Sequence, residues 1–210
     1  MKPLLRSIAC AIALLAISCG NQDPNAQVDE GNVSDNVYTS EAIGWSIIIP
    51  KGWEVVSKDE MEETTEKGKE AMEGVAGEVD FSGMKHLISF RKNDFNIFQS
   101  TSEPFKEEYE GEWMENNAAI RDLIYMTYSS RGIKVDTSST KASIDGLEFN
   151  VFRATIFNDE GEVLLNQEMY SRLINGFDFG VNLNYNNEEY KATMLRAWEQ
   201  STFKKVGSDE

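Results

Sequence analysis

The chain contains 210 residues, of which 36 are acidic and 20 are lysine or arginine, so its formal net charge at pH 7 is −16. This charge would repel nucleic acids and anionic lipid headgroups, and we therefore expect no nucleic-acid partner. An acidic surface is typical of a soluble exported protein, and composition alone does not argue for a cationic partner.

The N-terminal segment has the order of a cleavable signal peptide. Lys2 and Arg6 supply its positive charge, and an uncharged apolar run follows from Ile8 to Ile17. This run is too short to cross a hydrocarbon core of about 30 Å as a stable helix. We therefore predict cleavage of residues 1–18 and not a permanent transmembrane anchor.

The segment closes with Ala16-Ile17-Ser18-Cys19, in which a small residue precedes a cysteine. This tetrad resembles the lipobox of bacterial lipoproteins, although that family usually has Leu where this chain has Ala16. The resemblance implies that Cys19 receives diacylglycerol and becomes the first residue of the mature chain. The alternative is an ordinary secretory signal cut near Ser18, which would leave Cys19 as a free thiol.

Residues 19–36 are predicted to be the lipidated cysteine and a flexible tether, because small and polar residues dominate without apolar periodicity. A folded domain is predicted over residues 37–205 and a disordered tail over residues 206–210. Cys10 leaves with the leader, so the domain has no disulfide and depends on its core. Gly20 after the cysteine resembles the outer-membrane sorting signal of enteric lipoproteins, which implies an outer-membrane location with the leaflet left open.

The domain opens with a pattern of strand, turn and strand. Apolar residues alternate over 45–49, Pro50-Lys51-Gly52 predicts a turn, and residues 53–56 continue extended. Ser57 and Glu60 then form a candidate capping box. The helix that follows is weakly apolar, so we expect it on the surface.

The middle of the chain predicts a hairpin and a second helix. The hairpin spans residues 87–101 with Asn93-Asp94 as its turn. The helix spans about residues 112–131 and ends before Gly132. Residues 133–138 are expected to form an extended edge.

The clearest pattern spans residues 147–185. Three runs of alternating polarity are separated by turns at residues 158–161 and at Asn175-Gly176, which predicts a three-stranded antiparallel meander. A final helix from about Asn187 should cover one face of the sheet. We therefore predict an α+β fold in which an antiparallel β-sheet of about six to seven strands is flanked by about three helices.

Three short motifs accompany this order of elements: Ile49-Pro50-Lys51-Gly52-Trp53 in the opening strands, Asp145-Gly146 before the meander, and Gln200-Ser201-Thr202-Phe203 after the final helix. Together they resemble the PsbP-like, Mog-type α+β fold over about residues 37–205. The long insert at residues 60–83 departs from shorter members. Members are mostly binding or scaffold proteins without known catalysis, so the resemblance implies that kind of function.

The sequence contains few groups arranged for catalysis. His86 is the only histidine and the thiol of Cys19 would be acylated, so neither a serine triad nor a cysteine nucleophile is complete. The acidic residues at 107–112 suit a helix N-terminus, and those at 159–162 lack the spacing of a calcium loop. No glycine-rich phosphate loop occurs. We therefore predict no enzyme activity, no metal and no cofactor.

Aromatic side chains on the two later helices are the candidates for lining a ligand groove between helices and sheet. They are Trp113, Tyr125, Tyr128, Tyr190 and Trp198. Their helical spacing is also typical of core residues, so their exposure in the structure decides between the two interpretations.

The function predicted from these features is a lipid-anchored, non-catalytic binding or scaffold domain of the bacterial envelope. Its contacts would be the membrane, through the lipid, and an unidentified envelope protein; its oligomeric state is left open. One alternative is an acid-dependent hydrolase of envelope polymers, which needs two carboxyl groups about 5–10 Å apart in a cleft. Another is a chaperone or adaptor for exported proteins, which needs an exposed apolar sheet face or edge.

Overall fold

The computed structural model describes residues 23–204; the predicted lipobox with Cys19 and the predicted tail at residues 206–210 lie outside this range. The described residues form a short 3-10 helix at Pro24–Gln27, three α-helices and twelve strands. The helices are α1 (Lys58–Ala76), α2 (Glu112–Ser130) and α3 (Glu188–Glu199). The strands are β1 (Asn32–Ser34), β2 (Val37–Ser40), β3 (Trp45–Ile48), β4 (Glu54–Val55), β5 (Lys85–His86), β6 (Phe90–Asn93), β7 (Asn96–Pro104), β8 (Val135–Ile144), β9 (Leu147–Phe157), β10 (Val163–Ile174), β11 (Phe177–Tyr185) and β12 (Thr202–Phe203).

The strands pair antiparallel in two sheets. The smaller sheet has the order β1-β2-β3-β12, and the larger has the order β4-β6-β7-β11-β10-β9-β8, with β5 paired to β7. The α+β class, the three helices and the meander of β9, β10 and β11 are confirmed, and β8 adds a fourth strand to that meander. The strands outnumber the predicted six to seven because several contain only two or three residues, too few for alternation to be recognised.

The hairpin turn lies one residue later than predicted. Asn93 pairs with Asn96, so Asp94 and Phe95 form the turn in place of Asn93 and Asp94. The Asn93 side chain accounts for the shift, because its Oδ1 accepts hydrogen bonds from the backbone N–H groups of both Phe95 and Asn96 at 3.1 Å. Asparagine closes a turn in this way without needing to occupy its centre.

Residues 23–36 are folded, so the predicted flexible tether is wrong over this range. Gln27 Oε1 accepts the backbone N–H of Lys58 at 2.7 Å at the start of α1. The Tyr38 hydroxyl donates to the carbonyl of Glu30 at 2.8 Å. Single polar contacts of this kind satisfy backbone groups without any apolar periodicity, which is why composition alone suggested a tether.

The main core lies between one face of the larger sheet and a cover made by the smaller sheet and α3. Trp45 of β3 and Trp198 of α3 are fully buried at its centre, with ring centroids 6.1 Å apart in an edge-on arrangement. The alternating residues of β11 that face this core are Phe179, Val181, Leu183 and Tyr185. The residues between them on β11 therefore face the opposite side of the sheet.

Helices α1 and α2 cover that opposite face. Part of α2 packs on β9, where Phe152, Ala154 and Ile156 form a small second core with Ile124 and other partly buried residues. Only Met61 of α1 is buried, which agrees with the predicted surface helix. None of the helices between residues 23 and 204 combines the length and the apolar character needed to span a bilayer.

Candidate functional site

A cleft of about 390 Å³ lies between α1, α2 and the larger sheet. Its size falls in the range of about 300–1,000 Å³ that is usual for small-molecule sites. The apolar side chains on its walls are Met72, Phe81, Met84, Ile120, Ile124, Phe152 and Met169. The polar side chains of the sheet that form its floor are Gln99, Thr101, Glu103, Ser171, Asp178 and Asn182.

Two glycines make room for this cleft. Gly68 lies in α1 on the cleft wall, and a Cβ added there would meet no atom within 4 Å. Gly180 lies in β11 on the floor, where an added Cβ would sit 3.3 Å from Thr101 Oγ1. The helices thus cross above a polar strip of sheet without filling the space between.

Two carboxyl groups lie side by side on the floor. Asp178 of β11 is directly opposite Glu103 of β7 in the antiparallel register, and both line the cleft. Residues opposed in this way have Cβ atoms about 4.5–5.5 Å apart and point to the same face. No lysine, arginine or histidine among residues 23–204 forms a salt bridge with either of them.

The surroundings favour the protonated form of both groups. Burial raises the pKa of Asp178, and the neighbouring Trp113 indole opposes this only in part, since its N–H makes no hydrogen bond of ordinary geometry. Burial also raises the pKa of Glu103, and the negative charges of Asp178 and Asp80 raise it further. Ionising both groups therefore costs free energy, because neither carboxylate has a salt-bridge partner among residues 23–204.

Two amides that line the cleft have side-chain oxygens without a hydrogen-bond partner. Asn117 of α2 is only 7% exposed, and its Nδ2 donates to Ser171 Oγ at 2.8 Å. Its Oδ1 has no hydrogen-bond partner, and neither has Asn182 Oδ1 on the floor. Buried polar atoms are normally hydrogen-bonded, so these oxygens mark places where a donor is missing.

The cleft continues into an acidic depression of about 360 Å³ beside α1. Asp29, Glu62, Glu66 and Asp80 line this depression. His86 lines both spaces, and burial lowers the pKa of its imidazole. Within residues 23–204, no three histidine, cysteine or acidic side chains form a group suited to hold a metal ion.

Comparison with known proteins identifies the architecture around this cleft. No family model and no curated protein matches the chain. Among solved structures, the solution structure of cyanobacterial PsbP (CyanoP) from Synechocystis sp. PCC 6803 is similar, with a TM-score of 0.53 over 83% of this chain and 96% of that one. The chain has a PsbP-like fold. At 11% sequence identity the likeness covers the fold alone.

In this PsbP-like domain the five aromatic residues predicted to form a groove do not lie together, and none lines the cleft. Trp198 is fully buried in the main core, and Tyr190 packs edge-on against Trp53 with ring centroids 6.1 Å apart. Trp113 is buried beside Asp178, and Tyr125 is 46% exposed. Tyr128 donates a hydrogen bond to Gln167 Oε1 at 2.9 Å. The groove between helices and sheet exists, but other residues form it.

One sequence pattern, the alternation along β11, indicates some of the residues that form the cleft of the PsbP-like domain. Asp178, Gly180 and Asn182 alternate strictly with the core residues of β11, which fixed the face they would occupy. Alternation alone does not show what packs against this polar face. The missing information was that α1 and α2 cover it, which depends on contacts between distant parts of the chain.

Glu168, a buried carboxylate on the other face of the sheet, is surrounded by hydrogen-bond donors and cationic side chains. Glu168 of β10 accepts hydrogen bonds from the Tyr170 and Tyr185 hydroxyls, each at 3.0 Å. Arg153 and Lys191 approach its oxygens at 3.3 and 3.5 Å. Burial by itself would raise the pKa of Glu168, but these four partners together lower it. With its lone pairs occupied, Glu168 is not free to bind a ligand.

Proposed function

We propose that this chain is a non-catalytic ligand-binding domain held at the bacterial envelope by a lipid on Cys19. The observation that carries the binding function is the cleft beneath α1 and α2. It combines apolar walls with a small number of converging polar groups, which is the usual composition of a small-molecule site. The PsbP-like fold supplies the scaffold and does not choose the ligand.

Methionine methyl resonances offer a direct test of binding. Met72, Met84 and Met169 line the cleft, whereas Met194 is buried in the main core and Met126 is exposed on α2. We expect 1-hexanol, an uncharged probe with an apolar tail, to shift the first three resonances and leave the other two unchanged. Uniform small shifts at all five methyl groups would contradict a defined site.

A matched pair of variants makes this test specific. Gly68→Leu places a side chain in the cleft, whereas Gly74→Leu makes the same change in the same helix at a position that does not line it. We expect Gly68→Leu to abolish the hexanol shifts and Gly74→Leu to retain them. Shifts that persist in Gly68→Leu would mean that the probe does not bind in the cleft.

The envelope anchor rests on the leader and needs its own experiment. Ala16-Ile17-Ser18-Cys19 and the preceding apolar run support lipid attachment, and Gly20 supports an outer-membrane location. Wild-type protein should partition with membranes and show an acylated N-terminus by intact mass. The Cys19→Ala variant should carry no acyl chains. Equal masses of the mature proteins, apart from the substitution itself, would remove the anchor from the proposal.

A second candidate function, acid-dependent hydrolysis of an envelope polymer, is favoured by the opposed pair of Asp178 and Glu103. Such chemistry needs one protonated and one ionised carboxyl group, and raised pKa values allow a pair to hold a single proton in mild acid. The test is product release from purified cell-wall glycan at pH 4–6. Activity that both Glu103→Gln and Asp178→Asn abolish would replace the binding proposal. The chaperone or adaptor hypothesis stays a prediction.

A further inference from the structure

We propose that the cleft binds a small organic cation, with an ammonium group attached to an apolar body. This inference rests on the proposed ligand-binding function and names the chemical class of its ligand. Three features carry it: the unpaired carboxyl groups of Glu103 and Asp178, the unsatisfied amide oxygens of Asn117 and Asn182, and the apolar side chains above them.

The first feature is that the unsatisfied groups lining the cleft are acceptors. An ionised carboxylate can only accept hydrogen bonds, and the orphaned atoms of Asn117 and Asn182 are both carbonyl oxygens. Asn117 is a strong indicator because it is almost fully buried and its Nδ2 is already committed to Ser171. An ammonium group brings three donors and no acceptor, so its hydrogen-bonding capacity is complementary to this floor.

The second feature is the distribution of charge. Two cationic side chains line the cleft, and both have other partners within the described residues. Lys69 lies 3.8 Å from Glu73, and Arg121 donates to Asn117 O and Ser139 Oγ at 3.3 Å each. Neither neutralises Glu103 or Asp178. A positive charge brought by a ligand would compensate the half-buried pair, and opposite charges attract more strongly there than in bulk water.

The third feature is the apolar part of the cleft. Three methionines and two phenylalanines contribute to the walls: Met72, Met84, Met169, Phe81 and Phe152. Methionine adapts to irregular shapes, so this lining suits a flexible aliphatic or aromatic body. A hydrated inorganic cation would leave this surface unused. The combination therefore favours an amphipathic amine.

Binding should weaken on acidification. The titratable groups that face the pair or its surroundings are Glu103 on β7, Asp178 on β11, His86 on β5, Lys69 on α1, Arg121 on α2 and Asp80 before β5. As pH falls, the two carboxyl groups lose their charge before ordinary carboxyl groups do, and His86 gains positive charge. Both changes oppose a cation.

The experiment compares three probes that share a six-carbon tail: n-hexylammonium, 1-hexanol and hexanoate. Binding to the full chain carrying Cys19→Ala, so that no acyl group is attached, is followed through the Met72, Met84 and Met169 methyl resonances. We expect hexylammonium to bind about tenfold more tightly than hexanol at pH 7.5, because it forms charge-assisted hydrogen bonds. Hexanoate should bind most weakly.

Two double variants serve as the test and its control. Glu103→Gln with Asp178→Asn removes both charges from the cleft and should reduce hexylammonium affinity about tenfold while leaving hexanol within about twofold. Asp94→Asn with Glu188→Gln removes two charges from residues whose side chains are 91% and 81% exposed, and should change neither. Unchanged far-ultraviolet circular dichroism would show that the variants fold.

The possible outcomes distinguish failure of this inference from failure of the proposed ligand-binding function. Hexanol or hexanoate binding in the cleft as tightly as hexylammonium would overturn the cation inference and leave the binding function standing. Absence of methyl shifts with all three probes would overturn both. A hexylammonium preference that survives in the Glu103→Gln, Asp178→Asn protein would show that the charge is recognised elsewhere, which also overturns the inference.

Discussion

Asp178 and Glu103 are half-buried carboxyl groups without a salt-bridge partner among residues 23–204, and this arrangement costs folding free energy at neutral pH. Stability given up at a binding site is commonly recovered when the binding groups are removed. The effect of this pair on the free energy of unfolding can therefore be tested without any ligand.

Asp178→Asn should raise the free energy of unfolding at pH 7 by roughly 0.5–2 kcal/mol. The pKa of Asp178 is raised above its usual value of 3.8, so the ionised form is penalised above the raised pKa. That penalty fades as pH falls through the raised pKa toward 3.8, and the advantage of the variant should shrink accordingly. Urea unfolding at pH 7 and pH 4.5 measures both effects, with the exposed Asp94→Asn as control. A variant less stable than wild type at pH 7 would contradict the account.

Glu168→Gln should have the opposite effect and lower the free energy of unfolding at pH 7 by about 3 kcal/mol, because it breaks a buried ionic network. The pKa of Glu168 is lowered from 4.5, so its contribution is present above that value and is lost as pH falls through the lowered pKa. The difference between variant and wild type should therefore narrow below about pH 4. Glu160→Gln, in the exposed turn before β10, is the control. An equal difference at pH 7 and pH 3 would rule out the ionic explanation.

Local chemistry at single residues was predictable where the partner is close in sequence. The capping box of Ser57 and Glu60 is present, with the Glu60 N–H donating to Ser57 Oγ at 3.3 Å. The pair of Glu103 and Asp178 was not predictable, because it depends on the register between β7 and β11, two strands separated by a helix and three other strands.

At the scale of elements, α1 contains a residue of low helix propensity at the position where it borders the cleft. Gly68 in its middle costs about 1 kcal/mol relative to alanine and leaves space below the helix. By contrast, α3 contains no glycine and buries Met194, Ala197 and Trp198.

Gly68→Ala should therefore raise the free energy of unfolding by about 0.5–1 kcal/mol. Gly74→Ala should give a similar gain, because neither added Cβ would meet an atom within 4 Å. Thermal or urea unfolding of both variants checks the expectation. If Gly68→Ala were destabilising while Gly74→Ala was not, the cleft wall would be closer to the sheet than the structure places it.

The bounds of the helices show which sequence patterns predict an element without information about tertiary contacts. The second helix begins and ends close to the predicted residues, and the third begins after Asn187, which caps α3 by accepting the N–H groups of Glu189 and Tyr190. Ile120 of α2 is 41% exposed where the helix passes over the cleft. Helical periodicity identified the element and could not show that part of its apolar face borders a cavity.

At the scale of the whole molecule, the folded domain extends further toward the N-terminus than composition indicated. Asp29 forms an ion pair with Lys58 and accepts the backbone N–H of His86, so residues 23–36 join α1 to β5. Limited proteolysis of the full chain should yield a stable fragment that begins close to residue 23. Cleavage concentrated between residues 25 and 36 would contradict this expectation, and mass spectrometry of the fragments distinguishes the two outcomes.

The overall architecture followed from the sequence because most of the larger sheet consists of sequential hairpins. Local turns such as Asn175-Gly176 fix the order of β9, β10 and β11 without long-range information. The smaller sheet was not predictable, because β12 at the end of the chain pairs with β3 near its beginning. The cleft depends on that same kind of long-range arrangement.

The unequal attachment of α1 determines how anything could enter or leave the space beneath it. Its first turn is held by Gln27, by Asp29 and by the 2.8 Å ion pair between Glu60 and Arg91, whereas its later turns bury no residue. Fluctuations that lift the far end of this helix would break its contacts with α2 but would expose no fully buried side chain, so they should cost less free energy than lifting the first turn. The residence time of a bound molecule would then depend on how often that end opens, and strengthening the contacts there should slow exchange without altering the floor.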